Sequence, residues 1–291
     1  MDVGMVQVFD GTEGRGLDHV REYATTVEAL GFTSLWVPDH VIFFDQYDSA
    51  YPHSDDGNID FKTDQGLLEP LMTLMAAALV TEKIRLGTSV DILTERHPII
   101  RGRELATLDV ASNGRVEYGV GSGWSREEYA AMGITFERRG ARLNEYMDAL
   151  KALWGEHRPS FDGEFVSFEP LIFMPKPVRG TIPIVVGGNS PAALRRVATR
   201  GDGWHGWRLE PDELKRTLDD LHVQLDEHGR SRDDVKLNVG IPFKGSLDEL
   251  AEYAEICRGL GIDELIIAAG VSRTRFREQL TELADAAGVA A

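Results

Sequence analysis

Short apolar runs alternate with amphipathic helical segments eight times along this chain, and few folds accommodate that order. The runs fall at 3–9, 34–37, 84–88, 116–120, 182–186, 203–207, 235–241 and 264–268. Each is short and continuous, as expected of strands covered on both faces. Between them, Leu143, Tyr146, Met147, Leu150, Leu153 and Trp154 share a helical face, as do Leu214, Leu218, Leu221 and Leu225. Leu247, Leu250, Ala251 and Ala254 are expected to form another stripe, after a capping box made by Ser246 and Glu249. Eight such units in 291 residues predict a single α/β domain over 1–291, a (β/α)8 TIM barrel. A doubly wound sheet is the alternative, because periodicity does not reveal closure.

Two connections exceed the minimal repeat. One, 41–69, follows the second strand and is placed on the catalytic face of a barrel. The other, 155–181, precedes the fifth strand, carries the hairpin-like FDGEFVSFEP, and enters from the opposite side unless it folds up along the barrel. Long connections in a compact domain usually serve as lids or substrate loops.

Composition excludes several partners. With 48 Asp and Glu against 31 Lys and Arg, the net charge of −17 gives no field to attract nucleic acid. No long apolar segment suits a membrane, and no signal-peptide pattern precedes the first strand, so a cytoplasmic location is expected. The lone Cys257 lies near the apolar side of a helical stretch and reads as a buried structural thiol. The acidic segment with Asp45, Asp48, Asp55, Asp56, Asp60 and Asp64 lacks EF-hand spacing and reads as a solvated loop.

The chemistry of a barrel is read at the ends of its strands. His40, beside Asp39, directly follows the second strand. Imidazole is the side chain suited to proton transfer near neutral pH, although a loop-capping histidine is the competing reading. Asp39 either orients His40 or holds a polar edge of a cofactor. After the third strand, Thr88, Ser89, Val90 and Asp91 offer small hydroxyl residues that let a ligand approach the backbone. After the fourth, Gly121, Ser122, Gly123 and Trp124 form a glycine loop, and Ser125 and Glu128 stand in capping-box spacing for the next helix. After the fifth, Gly187, Gly188 and Asn189 lead into Ser190 as N-cap and Pro191 as first helical residue, a phosphate-binding arrangement. Trp204 and Trp207 flank His205 and are expected to share one face as core or pocket lining. No zinc or hydrolase motif occurs, so no metal site is expected.

These blocks resemble the luciferase-like monooxygenase superfamily, in the branch using the deazaflavin coenzyme F420. The resemblance spans nearly the whole chain: Trp36 with Asp39-His40, Glu69-Pro70, LGTSV at 86–90, Arg96-His97-Pro98, ATLDVASNGRVEYGVGSGW at 106–124, PKPV at 175–178, IPIVVGGNSPAAL at 182–194 and GDGW at 201–204. It implies a cofactor at the C-terminal mouth of the barrel. Asp39 and His40 would contact the ring, Ser89-Val90 would be a non-prolyl cis peptide backing it, and 121–124 with 187–189 would hold the ribityl and phosphate portion. It also implies hydride transfer between the deazaflavin C5 and a small-molecule substrate, with His40 moving the accompanying proton, and a homodimer.

The chain departs from the sugar-phosphate dehydrogenases of the same family. They carry a tryptophan where Phe44 stands and a catalytic glutamate where Trp124 stands, so a more apolar substrate is expected. An FMN-dependent monooxygenase is the first alternative. A non-catalytic flavin-binding barrel is the second, opposed by the intact Asp39, His40 and Ser89.

Overall fold

The computed structural model of the chain describes residues 1–9, 16–54, 56–59 and 66–289. Asp55, Asp60 and Asp64 of the acidic segment lie outside the described residues. Among the described residues eight strands form the barrel, with the two-residue strand Asp91–Ile92 added beside the fourth: β1 (Asp2–Val6), β2 (Ser34–Val37), β3 (Arg85–Thr88), β4 (Val116–Gly121), β5 (Ile184–Gly187), β6 (Gly203–Trp207), β7 (Lys236–Phe243) and β8 (Glu264–Ala269). They pair in parallel in the order β3-β2-β1-β8-β7-β6-β5-β4. Pairing of Leu86 with Val116 and Gly87 with Glu117 joins β3 to β4. The sheet is therefore closed, and the fold is a (β/α)8 TIM barrel rather than a doubly wound sheet.

The helices lie outside the sheet: α1 (Gly16–Ala29), α2 (Pro70–Ala78), α3 (Pro98–Ala111), the short α4 (Arg126–Ala131), α5 (Arg139–Gly155), α6 (Pro191–Arg200), α7 (Pro211–Glu227), α8 (Leu247–Gly259) and α9 (Phe276–Ala287). The predicted stripes on α5 and α7 are buried. On α8 the boundary differs from expectation. Leu247 is 39% exposed, and the buried face is Leu250, Ala254 and Cys257. The cause is positional: Leu247 is the first helical residue, directly after the N-cap Ser246 and inside the Ser246–Glu249 capping box. Burial pushes the Cys257 thiol up to about 12, as suits a structural cysteine.

Trp204 and Trp207 do not share a face. Residues three apart on a strand point oppositely. Trp204 packs under Gly206 in the main core and donates to the Gly188 carbonyl at 2.9 Å. Trp207 joins Val6, Trp36, Val185 and Ile266 inside the barrel.

Space inside the barrel is made by glycine. A Cβ at Gly87 would collide with the Trp36 ring, and one at Gly119 with the Thr88 carbonyl. At the floor, Arg85 lies 2.8 Å from Glu264 and 3.0 Å from Glu117, and Lys236 bridges the same two carboxylates at 2.7 and 2.9 Å. The inserted hairpin Phe161–Asp162/Ser167–Phe168 is held to α5 by Glu145, which accepts from the amides of Glu164, Phe165 and Val166. No helix among the described residues is long and apolar enough to cross a membrane.

Gly119→Ala is expected to destabilise the protein by at least about 2 kcal/mol, because its new methyl meets backbone that does not yield. Gly259→Ala, with nothing within 4 Å of its Cβ position, is expected to be neutral or stabilising by up to about 1 kcal/mol. Urea unfolding of both variants checks the contrast.

Candidate active site at the barrel mouth

The segment after β3 sets the geometry of the mouth. The Ser89-Val90 peptide is cis, as the resemblance implied. The Val90 side chain is turned toward glycines: a Cβ at Gly121 or Gly187 would lie 2.8 Å from a Val90 methyl, and one at Gly119 3.3 Å away. Two glycines read as phosphate-loop residues therefore have a packing duty as well, making room for the bulge.

His40 sits at the end of the turn following β2, with its side chain 14% exposed. Its Nδ1–H donates to Glu128 Oε2 at 2.9 Å. A carboxylate only accepts, so this bond leaves Nε2 of the neutral ring as the lone-pair nitrogen. Trp124 Nε1 approaches Nε2 at 3.4 Å. Glu128 Oε1 also accepts from the Val41 amide at 2.6 Å. The predicted capping box is thus only half made. Ser125 accepts from the Glu128 amide at 3.0 Å, but the Glu128 carboxylate is diverted to His40 and Val41. Its neighbour Glu127 accepts from the amides of Asp48 and Ser49 at 2.7 and 2.9 Å. Two consecutive glutamates of one short helix therefore clamp residues 41–49, the start of the insertion after β2, to α4.

That insertion supplies an aromatic wall. Phe43 lies 5.3 Å from the His40 ring, and Tyr47 and Tyr51 lie 5.1 and 5.3 Å from Trp124 (centroid distances). The expectation of an apolar surround for His40 rests on these rings together with Trp124.

Asp39 takes a different part from His40. Its Oδ1 accepts from Arg96 at 2.8 Å and its Oδ2 from the Ile92 amide at 3.0 Å, and its side chain is 1% exposed. Asp91 is gripped by Arg101 through two bonds of 3.0 and 2.7 Å and accepts from Tyr118. Burial and the Asp91 charge push the Asp39 carboxyl up to about 7, against the pull of Arg96. Asp91, despite its burial, is held low by Arg101 and Arg96. Asp39 thus fixes the turn that carries His40 to the loop after β3.

Sequence reasoning passed over Glu95. It is 3% exposed, and neither carboxyl oxygen has a hydrogen-bond partner among the described residues. Burial, then the charges of Glu128 and Asp39, push it up to about 9.

At the end of β5, Asn189 is a structural link: its Nδ2 donates to the Trp207 carbonyl at 2.8 Å and its Oδ1 accepts from the Trp207 amide at 3.1 Å. The Gly188 amide donates to the His205 carbonyl at 3.2 Å. Ser190 caps α6 and Pro191 begins it, as expected. A cavity of ≈520 Å³ opens beside Asn189, bounded by His53, Trp207, Arg208 and Arg216. His40, Ser89 and Trp124 do not line it. The predicted residues thus form two groups: His40, Trp124, Ser89 and Val90 around the mouth, and Gly188 with Asn189 at the α6 terminus.

Residues 1–244 match the family described as luciferase-like monooxygenase. An uncharacterised protein of Mycobacterium tuberculosis is 34% identical over 246 residues, 84% of either chain. The F420-dependent glucose-6-phosphate dehydrogenase of Amycolatopsis mediterranei is 28% identical over 275 residues, covering 84% of this chain and 78% of its own. The structure of an F420-dependent secondary alcohol dehydrogenase with an F420-acetone adduct superposes with a TM-score of 0.79, covering 98% of both chains. At 18% identity that likeness is one of fold.

Glu95 yields a stability prediction. Its carboxyl ionises near 4.5 in the unfolded chain and near 9 in the folded one. Between those values the folded state binds the extra proton, so stability falls as pH rises through that window. Glu95→Gln is expected to raise the melting temperature relative to the parent at pH 8, with the gain disappearing near pH 4.5. Scanning calorimetry across that range decides it.

Proposed function

The chain belongs to the luciferase-like monooxygenase family, and we propose that within it this protein is a coenzyme F420-dependent oxidoreductase acting on a small, fairly apolar organic substrate. The observation that carries the reading is the His40–Glu128 pair, facing an aromatic wall beside the Ser89-Val90 bulge. The F420-dependent dehydrogenase among its relatives supports the choice of cofactor.

The residues present fit such a cofactor. Val90 provides an apolar backing whose methyls are seated where Gly121 and Gly187 lack a Cβ. The N-terminus of α6, capped by Ser190 with Pro191 at its first position, suits a phosphate. His40 and Asp39, with Ser89, Val90 and Trp124, would hold the ring, and 121–123 with 187–189 the ribityl and phosphate portion. When bound, the deazaflavin supplies C5, a carbon that gives or takes a hydride.

The chain's own part is proton handling and placement. Glu128 fixes the His40 tautomer, so Nε2 takes the proton of a substrate hydroxyl as hydride leaves its carbon, or returns it in the reverse direction. The negative carboxylate behind the ring stabilises the imidazolium so formed. Asp39 and Arg96 hold the turn that aims His40. Residues 41–49, clamped by Glu127 and Glu128, set Phe43 and Tyr47 against His40 and Trp124 as an apolar wall of the site. Phe44 and Trp124, standing where the sugar-phosphate enzymes carry a tryptophan and a glutamate, favour an apolar substrate over a sugar phosphate.

The test is titration of the apo-protein with F420 and, separately, FMN, followed by tryptophan fluorescence. Micromolar or tighter F420 binding is expected, lost in Gly188→Asp. His40→Ala is expected to retain most of that affinity, because the ring keeps its other contacts. In F420-linked turnover of a panel of secondary alcohols, ketones and enones, it is expected to lower kcat by roughly 10²–10⁴-fold. Preference for FMN would move the assignment to oxygen chemistry, and binding of neither would remove it.

A further inference from the structure

His205, the third residue of β6, faces the barrel interior, 2% exposed. Its ring stacks on Trp36 at 5.6 Å and 17°. Its Nε2 lies 3.0 Å from Ser89 Oγ, the hydroxyl on the cis peptide. Burial pushes its pKa down to about 4, so the ring is neutral at pH 7. Its other nitrogen, Nδ1, has no hydrogen-bond partner among the described residues.

Asn238 on β7 stands directly opposite His205 in the strand register. It is fully buried, and both its side-chain Oδ1 and Nδ2 also lack partners among the described residues. Three unpaired polar atoms on register neighbours do not persist dry, because buried polar groups in native proteins are satisfied by protein or by ordered water. Glu264 stands opposite Asn238 on its other side in the register, and its carboxylate is already paired with Lys236 and Arg85.

A neutral imidazole has one donor and one acceptor, so the two sides of His205 are linked. If water donates to Nδ1, the ring proton must be on Nε2, and Nε2–H then donates to Ser89 Oγ. A hydroxyl that accepts from below keeps its own hydrogen for a partner above.

We infer that His205 is a positioning residue. Internal water donating to its Nδ1 and to Asn238 Oδ1 holds it in the Nε2–H tautomer, and it thereby turns the Ser89 hydroxyl hydrogen toward a ligand at the barrel mouth. The identity of that ligand as a deazaflavin rests on the proposed function. The tautomer and the internal water do not.

Two measurements on the full chain test this. In ¹⁵N-histidine NMR of the ligand-free protein at pH 7, His205 is expected as a neutral ring protonated at Nε2. Ser89→Ala should move its Nε2 resonance, and Asn238→Leu should erode the single tautomer. A Nδ1–H ring, an imidazolium, or resonances indifferent to both substitutions would overturn the inference.

The second measurement is a double-mutant cycle in F420 affinity. His205→Phe, which keeps the stack on Trp36, and Ser89→Ala are each expected to weaken binding about tenfold, as loss of one good hydrogen bond does. The double variant should be no weaker than either single one, and His205→Gln, which retains an N–H donor, should recover much of the loss. Additive losses would show that His205 does not act through Ser89. If the parent binds neither F420 nor FMN, the cofactor reading fails, and the NMR result alone decides the tautomer and the water.

Discussion

The interior of an eight-stranded barrel is barely wide enough for the side chains of its own strands, and nearly everything at the mouth follows from how that volume is shared. Trp36 occupies it only because Gly87 leaves the space. Val90 turns inward only because Gly119, Gly121 and Gly187 carry no Cβ. The bulge at Ser89-Val90 and the stacked pair Trp36–His205 are thus parts of one packing arrangement. A single extra methyl at several of these positions meets a ring or a carbonyl that has nowhere to go. This close fit gives the proposed ring site a rigid back wall.

Charge is distributed by the same geometry. At the floor, Arg85 and Lys236 neutralise Glu117 and Glu264 where the strands begin. Near the mouth, Arg96 and Arg101 hold Asp39 and Asp91. Buried ion pairs of this kind add little net stability, but removal of one partner strands a charge. They are better regarded as pins that fix loops. The Asp39–Arg96 contact joins the turn after β2 to the loop after β3, while Glu128 joins the turn after β2 to α4. His40 is fixed between these two pins.

Much of this was legible from residue order. The strand positions follow from short apolar runs, and the caps at Ser190-Pro191 and Ser246–Glu249 from local chemistry, because such signals span only a few residues. The place of His40 after the second strand was also readable. The role of Glu128 was not: spacing from Ser125 suggested a cap, and its real partner stands 88 residues away. Glu95 gave no signal, since in sequence an acid next to Arg96 resembles any surface pair. The shared face assigned to Trp204 and Trp207 was an error of strand parity. Leu247 reads as part of a stripe but is the exposed first residue of its helix.

What the sequence by itself determined is the alternation of strand and helix, the caps, and the membership of the luciferase-like family, for these depend on local propensity and on runs of adjacent residues. Tertiary structure alone decided the closure of the sheet, the pairing of His40 with Glu128, the burial of Glu95 and the contact of His205 with Ser89. Each of these depends on residues brought together from distant parts of the chain. The protonation states of Glu95 and His205 are set by burial and neighbouring charge, neither of which exists until the barrel has closed.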